Sequence, residues 1–352
     1  MFRKIILFGL GLVVLAACNT KFNVNGEYEE KAIVHFLLDQ GQEFHFLKLN
    51  KTFLQEGDAF DFAKEADLSY FDNVVAVVEE IKNGSKTREW TLQDTTINNK
   101  KEGAFYGPDQ KLYFFKADDL DETALYRLKI DVDNGNHIIT GQTRLVEGVS
   151  IKSPNQNQSF KFAPNSVATA GYLNTAITFN SGKGATFKMQ LKFEYEEFTA
   201  LGSVVKPLVW ELGSIDRVDM GAATGSFVAK GNTFYEIVNK TVKANPDVTK
   251  RNLTLGDIVL TAGSEDLHTY ILSNAPTSSL AQSKPSFTNV EGALGIFSSR
   301  VTVVQTKPNF DNPNSRVVDQ NSMKELCTGT YTAALKFCSQ YPEDSGRPYS
   351  CD

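Results

Sequence analysis

In Phe187-Met189-Leu191-Phe193-Tyr195 every second residue is apolar across nine positions. Successive side chains of an extended strand point to opposite faces, so this spacing describes a strand buried on one side. The same period recurs where Tyr126, Leu128, Ile130 and Val132 alternate with Arg127, Lys129 and Asp131. Asp133-Asn134-Gly135-Asn136 follows, a run of residues that tolerate positive φ and so close a tight hairpin. Strands are also expected over residues 32–38, 43–49, 74–81, 88–92, 111–115 and 137–143, with a short helix over 59–67. Seven short strands separated by turn signals suggest an immunoglobulin-like β-sandwich over residues 31–152. The cysteine and tryptophan signature of antibody domains is absent.

Ser153-Pro154-Asn155-Gln156-Asn157-Gln158-Ser159 is polar and turn-forming throughout and reads as a linker. A second β-rich domain is expected over 160–306, with strands at 175–179, 187–198, 206–212, 257–262, 268–272 and 300–305. Its helix is announced by Thr233 with Glu236 three residues on, a capping-box pattern. Phe234, Ile237, Val238, Thr241 and Val242 then fall on one face, and Asn245-Pro246 stops the helix. Residues 307–352 read as a Cys-containing tail, in which Ser322 is placed to cap a final helix from Met323 to Lys336. The fold class expected is mainly β: two domains, an immunoglobulin-like sandwich and then a β-rich domain with one packed α-helix.

The N-terminus carries Arg3 and Lys4, then ten apolar residues from Ile5 to Val14, then Leu15-Ala16-Ala17-Cys18. Ten residues fall short of the roughly 20 needed to span a bilayer, and the arrangement reads as a secretory signal. Small residues directly before a Cys resemble the lipobox of bacterial lipoproteins. That resemblance implies a signal peptide over 1–17, cleavage after Ala17 and lipid, palmitate included, on Cys18. Residues 18–30 then form a tether between lipid and body. The acidic Glu27, Glu29 and Glu30 within it resemble the surface-export signals of some Bacteroidota lipoproteins. Cleavage leaves 335 of the 352 residues, enough for two domains with real cores. Net charge is −6 for the whole chain and becomes −8 when Arg3 and Lys4 are lost, which disfavours nucleic acid and anionic lipid as partners. Membrane attachment then rests on acyl chains, two or more being needed for a stable anchor.

Beyond Cys18 the only cysteines are Cys327, Cys338 and Cys351. With Cys18 lipidated, three remain, so one disulfide and one free or intermolecular thiol are expected. Cys327–Cys338 and Cys338–Cys351 are both open. Spacings of 11 and 13 residues with no following His do not suit zinc, and neither a metal nor a cofactor is expected.

Motifs for chemistry are sparse. The four histidines, His35, His45, His137 and His268, never pair at helical zinc spacing; His35 and His45 sit on neighbouring strands and are expected to face solvent. No Gly-x-Ser-x-Gly elbow occurs. Ser181-Gly182-Lys183-Gly184-Ala185-Thr186 resembles a phosphate loop only superficially, lacks its frame and reads as a hairpin turn. Asp131-x-Asp133-Asn134-Gly135 lacks the Gly and Glu of a calcium loop and reads as a turn, and residues 118–122 as a solvated acidic loop. Glu194 and Glu196 share the outward face of their strand. Trp90 and Trp210 are the only tryptophans beside 25 Phe and 12 Tyr, a usage that favours core packing over a stacking platform for sugars.

Residues Ala281 to Phe297, with Asn289-Val290-Glu291-Gly292 leading into Gly295-Ile296-Phe297, resemble a recurring stretch in a family of Bacteroidota outer-membrane lipoproteins of unknown function. Leu267-His268-Thr269-Tyr270-Ile271-Leu272 is similar to that family's residues just upstream. The likeness covers about residues 18–305 and implies an outer-membrane lipoprotein beside a transport protein, facing periplasm or cell exterior. The residues themselves make that stretch a turn-rich crossing held by Gly292 and Gly295. The function expected is non-catalytic: an accessory or interaction module assisting nutrient capture. A glycan- or peptide-binding surface lipoprotein is the alternative and would show a concave patch of exposed aromatic rings. A hydrolase, the third reading, would need carboxylates or Ser and His converging in a cleft.

Overall fold

The computed structural model describes residues 30–52, 59–103, 105–217, 223–275, 286–308, 310–312 and 314–352. The signal segment, Cys18, the tether as far as Glu29 and residues 281–285 lie outside the described residues. The fold is mainly β. The first half contains β1 (Ala32–Asp39), β2 (Phe44–Lys51), the single turn α1 (Ala59–Phe62), β3 (Val74–Lys82), β4 (Ser85–Thr91), β5 (Gln93–Asn98), β6 (Asp109–Lys116), β7 (Leu125–Val132) and β8 (His137–Arg144). There follow β9 (Val149–Ser153), α2 (Val167–Ala170), β10 (Asn174–Ser181), β11 (Thr186–Thr199), β12 (Gly202–Asp216), β13 (Thr224–Lys230), α3 (Gly231–Thr241), β14 (Val248–Gly263), α4 (Glu265–Asn274), β15 (Val290–Glu291), β16 (Leu294–Lys307) and α5 (Gln320–Thr328).

One eight-stranded sheet, ordered β12-β11-β14-β16-β1-β2-β6-β5, runs through both halves of the chain. Its joint is the parallel pairing of β1 with β16, Val34 beside Gly295 and Phe36 beside Phe297. A five-stranded sheet, β15-β8-β7-β3-β4, covers part of it, and a three-stranded sheet, β13-β10-β9, belongs to the other part. Two apolar cores result. In the first, Val34, Phe36, Leu38, Leu47 and Leu49 of the long sheet meet Ala76, Val78, Leu128, Ile130 and Val132. Phe36 lies between Phe297 and Phe115, with ring centroids 5.2 and 6.3 Å away. In the second, the inward series Phe187, Met189, Leu191, Phe193 and Tyr195 packs with Phe179, Phe227 and the helix residues Phe234, Tyr235 and Val238. Fully burying each such side chain contributes about 1.5–3 kcal/mol.

Residues 315–352 are integral to the second core, to which Val317, Val318, Met323, Leu326, Leu335 and Phe337 belong. Cys338 and Cys351 form a disulfide, with Cα atoms 4.9 Å apart. That decides between the two pairings left open by spacing, and Cys327 is free and buried. Lys307, which shows no exposed surface, sends its ammonium to the carbonyls of Asn155 and Gln158. The polar stretch 153–159 is thereby clasped by the end of β16.

Three expectations are corrected. Residues 268–272, read as a strand, form the middle of α4, because Ser264 caps a helix: its side chain accepts from the Leu267 N–H at 3.3 Å, and Glu265 and Asp266 occupy the first turn. Helix α3 starts at Gly231, ahead of Thr233, with Lys230 at its N-cap and no side-chain cap. Close packing sets that start, since a Cβ on Gly231 would lie 2.1 Å from the Phe162 carbonyl oxygen and 2.4 Å from that of Leu173. Helix α5 is capped by Asp319, whose Oδ1 accepts from Ser322 N at 3.0 Å, and it ends at Thr328. The Ser322 hydroxyl instead accepts from the backbone N–H groups of Phe162 and Ala163.

Candidate functional site

Along β2 the even positions leave the core: Phe44, Phe46, Lys48 and Asn50 stand on the outer face of the long sheet, while His45, Leu47 and Leu49 are buried. On β1 the matching outer residues are Ile33, His35 and Leu37, and His35 stands opposite Lys48. Phe46 stands opposite Phe114 of β6. The rings of Phe44, Phe46 and Phe114 form a triangle with centroids 5.9–6.5 Å apart. Phe44 and Phe46 are 43% and 39% exposed, enough to offer ring faces to a ligand.

Further along the same face the chain between β5 and β6 folds back over the sheet. Lys100 donates to the Tyr106 carbonyl, and Tyr106 N donates to the Ala63 carbonyl oxygen at 2.6 Å. Tyr106 meets Tyr70 edge-on at 6.2 Å. Beneath lies a hollow of about 190 Å³ whose walls include His35, Lys48, Tyr70, Lys100, Phe105 and Tyr106. A second hollow of about 460 Å³ adjoins it and shares Lys100, Phe105 and Tyr106. Together they fall within the roughly 300–1,000 Å³ usual for ligand sites. His35 Nε2 lies 2.8 Å from the Tyr270 hydroxyl, so α4 closes one side.

The electrostatics of this cleft are basic. Lys48 and Lys100 lack an ion pair with any described residue, and Lys64 has only a loose 3.9 Å contact to exposed Asp61. Burial, and then the charge of Lys48, hold both His35 and Lys100 below their ordinary pKa values. Burial raises the Tyr70 phenol.

His35 and His45 do not face each other. His35 is on the outer face; His45 is buried beneath it, bonded through Nε2 to the Ala117 carbonyl at 2.9 Å and stacked on Phe115. The expectation of two solvent-facing residues holds for His35 alone. His137 approaches Glu30 at 3.7 Å and His268 approaches Asp216 at 3.2 Å, and neither lines the hollow beneath Tyr106. The segment 181–186 is a turn between β10 and β11 in which Arg217 donates to the carbonyls of Ser181, Gly182 and Gly184. Those carbonyls face a cation, the opposite of the inward N–H groups that hold phosphate. Asp131 spends its carboxylate on Gly135 N at 2.7 Å within the hairpin, where Asp133, Asn134 and Gly135 all have positive φ. In the acidic loop Asp119 pairs with Arg88 at 2.7 Å and Asp121 with Lys82 at 2.6 Å. Glu194 and Glu196 are half-buried, whereas Glu197 turns inward to Arg251. Trp90 stacks on Phe115 at 5.1 Å and Trp210 is buried, so both tryptophans serve packing.

Sequence reasoning missed the cleft because most of its residues come from connections. Tyr70, Lys100, Phe105 and Tyr106 follow no period. The exposed Phe44 and Phe46 did carry a signal: they flank His45 at a spacing of two, on the face opposite Leu47 and Leu49.

Neither a family model nor a curated protein sequence matches the chain. Among solved structures it is slightly similar to the C-terminal globular domain of an oligosaccharyltransferase from Pyrococcus abyssi, at 10% identity and a TM-score of 0.22. The match covers 67% of this chain and 50% of that one, so it spans half the neighbour's length, and the likeness is too slight to carry meaning for fold or activity.

Proposed function

We propose that this chain is a non-catalytic capture module, held at the outer membrane by lipid on Cys18 beside a transport protein, that binds saccharide in the cleft over the long sheet. The observation that carries the reading is two aromatic groups on one sheet face: the rings of Phe44, Phe46 and Phe114, and, past Lys48 on the same strand, Phe105 and Tyr106 lining the hollow among polar groups. Sugar rings present C–H faces that pack on aromatic rings and hydroxyls that need hydrogen-bond partners, and a site of this kind meets both needs. Binding is favoured over hydrolysis because, among the described residues, no pair of carboxylates faces the smaller hollow and Glu102, on the wall of the larger one, is the sole acid along either. The Bacteroidota lipoprotein resemblance and the lipobox support the address.

Two experiments test this. A glycan array probed with the folded body should give hits that Tyr106→Ala removes; an array blank at millimolar protein ends the reading. Replacing Cys18 by Ser should move the chain from the membrane to the soluble fraction, and retention at the membrane would refute the anchor.

A further inference from the structure

We infer that the cleft selects acidic saccharides, with a carboxylate or sulfate of the ligand seated between Lys48 and Lys100. The inference rests on the saccharide reading above and names its ligand class. Lys48 and Lys100 line the same small hollow from different elements, β2 and the chain before β6. The Lys48 ammonium has neither an ion pair nor a hydrogen bond with a described residue, and among those residues that of Lys100 has only the Tyr106 carbonyl and the Phe105 ring, over which it lies. The adjoining hollow adds Lys64 and Lys101 to its walls, against the single acid Glu102 among the described residues. This basic concentration runs against the chain as a whole, which carries 42 acidic and 36 basic side chains. Three part-buried arginines elsewhere are matched by acids, Arg88 with Glu80, Arg251 with Glu197 and Arg316 with Asp344, whereas buried Lys307 donates to carbonyls.

Two like charges in a partly buried hollow repel, and Lys100, which burial disfavours as a cation, has no counter-charge among the described residues. An anion between them relieves the repulsion and makes charge-assisted hydrogen bonds with the two ammoniums. Lysine supplies a mobile point charge with no fork, so the pair accepts trigonal carboxylate and tetrahedral sulfate alike. His35 and the phenols of Tyr70 and Tyr106 stand around the same hollow and can serve the sugar hydroxyls, and the exposed Phe105 offers a ring face. A small soluble anion would need the lysines only. The aromatic walls give a ring-bearing acid the further contact.

Calorimetric titration of the full chain distinguishes the outcomes, using tetragalacturonic acid, its methyl ester, a chondroitin sulfate tetrasaccharide and neutral cellotetraose as probes. Acidic probes should bind at least about tenfold more tightly than the methyl ester and cellotetraose, the worth of one charge-assisted hydrogen bond. Lys48→Gln should remove that advantage and leave the weak neutral binding unchanged, and raised salt should reproduce the loss. Both substitution sites are partly exposed, and the far-ultraviolet circular dichroism of Lys48→Gln and Tyr106→Ala checks that each folds. If neutral and acidic probes bind equally, with dependence on Tyr106 and none on Lys48, the acid preference is overturned and the saccharide reading stands. If no probe binds, both fall. Tight binding of tetragalacturonic acid shows that carboxylate suffices, and binding of the chondroitin sulfate alone points to its sulfate; either supports the inference.

Discussion

The guanidinium of Arg251, 1% exposed, donates through Nε and Nη2 to Oε2 of Glu197 at 3.0 and 2.8 Å. The pair does more than join β14 to β11. The same guanidinium donates to the carbonyls of Leu335 and Lys243, and the backbone of Arg251 bonds to Lys336 and Cys338. One side chain thus fastens the C-terminal segment, the end of α3 and the long sheet together. Lys206 completes the charge balance from the exposed side, 2.7 Å from Glu197.

Truncating Arg251 is expected to destabilise strongly. Arg251→Met leaves the Glu197 carboxylate buried with Lys206 alone and strips two carbonyls of their donor, a loss of about 3–5 kcal/mol. The double variant Arg251→Met/Glu197→Leu should recover part of that, because no lone charge remains inside. Chemical denaturation of the three chains measures both numbers. Burial pushes the Glu197 carboxyl up, but hydrogen bonds from Lys206 and Arg251 overcome this and hold it below its usual range. The pair's contribution is therefore whole above the unfolded carboxyl value of 4.5 and is lost as pH falls through the lower folded value.

Lys307 gives a slope of the same sign in an alkaline window. Burial lowers its ammonium to about 8, from 10.5. Between those values the unfolded chain holds a proton that the folded chain has released, so unfolding free energy rises with pH. At neutral pH the charged, buried form costs on the order of 2–3 kcal/mol, partly offset by the carbonyls it satisfies. Stability measured from pH 8 to 9.5 should climb more steeply in the wild type than in Lys307→Met, where the opposed shifts of Lys100 and Cys327 remain. The window stops short of pH 10, where the buried tyrosines Tyr113 and Tyr126, raised by burial, contribute the reverse slope.

The disulfide fastens a segment already packed. Cys338 and Cys351 close a loop of 13 residues, and opening it should cost about 3 kcal/mol through the entropy of the unfolded chain. Asp344, bonded to Arg316, Gln320 and Ser339, holds the loop to α5 when the bond is open. Cys338→Ser/Cys351→Ser is therefore expected to fold, with a lower melting temperature. Cys327, whose thiol burial pushes up to about 12, should resist iodoacetamide in the folded chain and react after denaturation. Mass analysis of the peptide carrying Cys327 reads both states.

Strand content was legible wherever one face is buried: the alternations at 126–132 and 187–195 match the inward residues of β7 and β11. What joins the halves was not. The parallel pairing of β1 with β16 unites segments more than 250 residues apart, and parallel neighbours leave no turn between them to read. Strands β5, β9 and β13 also escaped notice, being short and bordered by polar residues. Helix α4 was misread because its apolar Leu267, Ile271 and Leu272 outweighed the cap at Ser264 and the acids after it. At the site, register alone separates the histidines: pairing His35 with Lys48 sends His45, three positions before Lys48, to the other face. Nothing local in Tyr70 or Tyr106 announces that they meet.

Gly295 offers the sharpest test of the joint between the halves. Its φ is +109°, and a Cβ there would stand 1.9 Å from the Val34 carbonyl oxygen of the neighbouring strand. Gly292 is similar, with φ +77° and a Cβ 2.3 Å from the Ile138 carbonyl oxygen of β8. Ahead of both, Asn289 clamps the crossing, accepting from Phe297 N at 2.9 Å and donating to Phe297 O at 2.8 Å. Two costs therefore add at Gly295→Ala: backbone strain of about 1–3 kcal/mol, and a clash that only moving β1 from β16 can relieve. Gly135→Ala isolates the first cost, since its φ is +96° with nothing within 4 Å of an added Cβ. Thermal unfolding should show Gly135→Ala lowered by the strain alone and Gly295→Ala lowered by clearly more. Equal shifts in the two variants would mean that β1 yields easily at Val34, and that the long sheet is not the rigid joint between the cores.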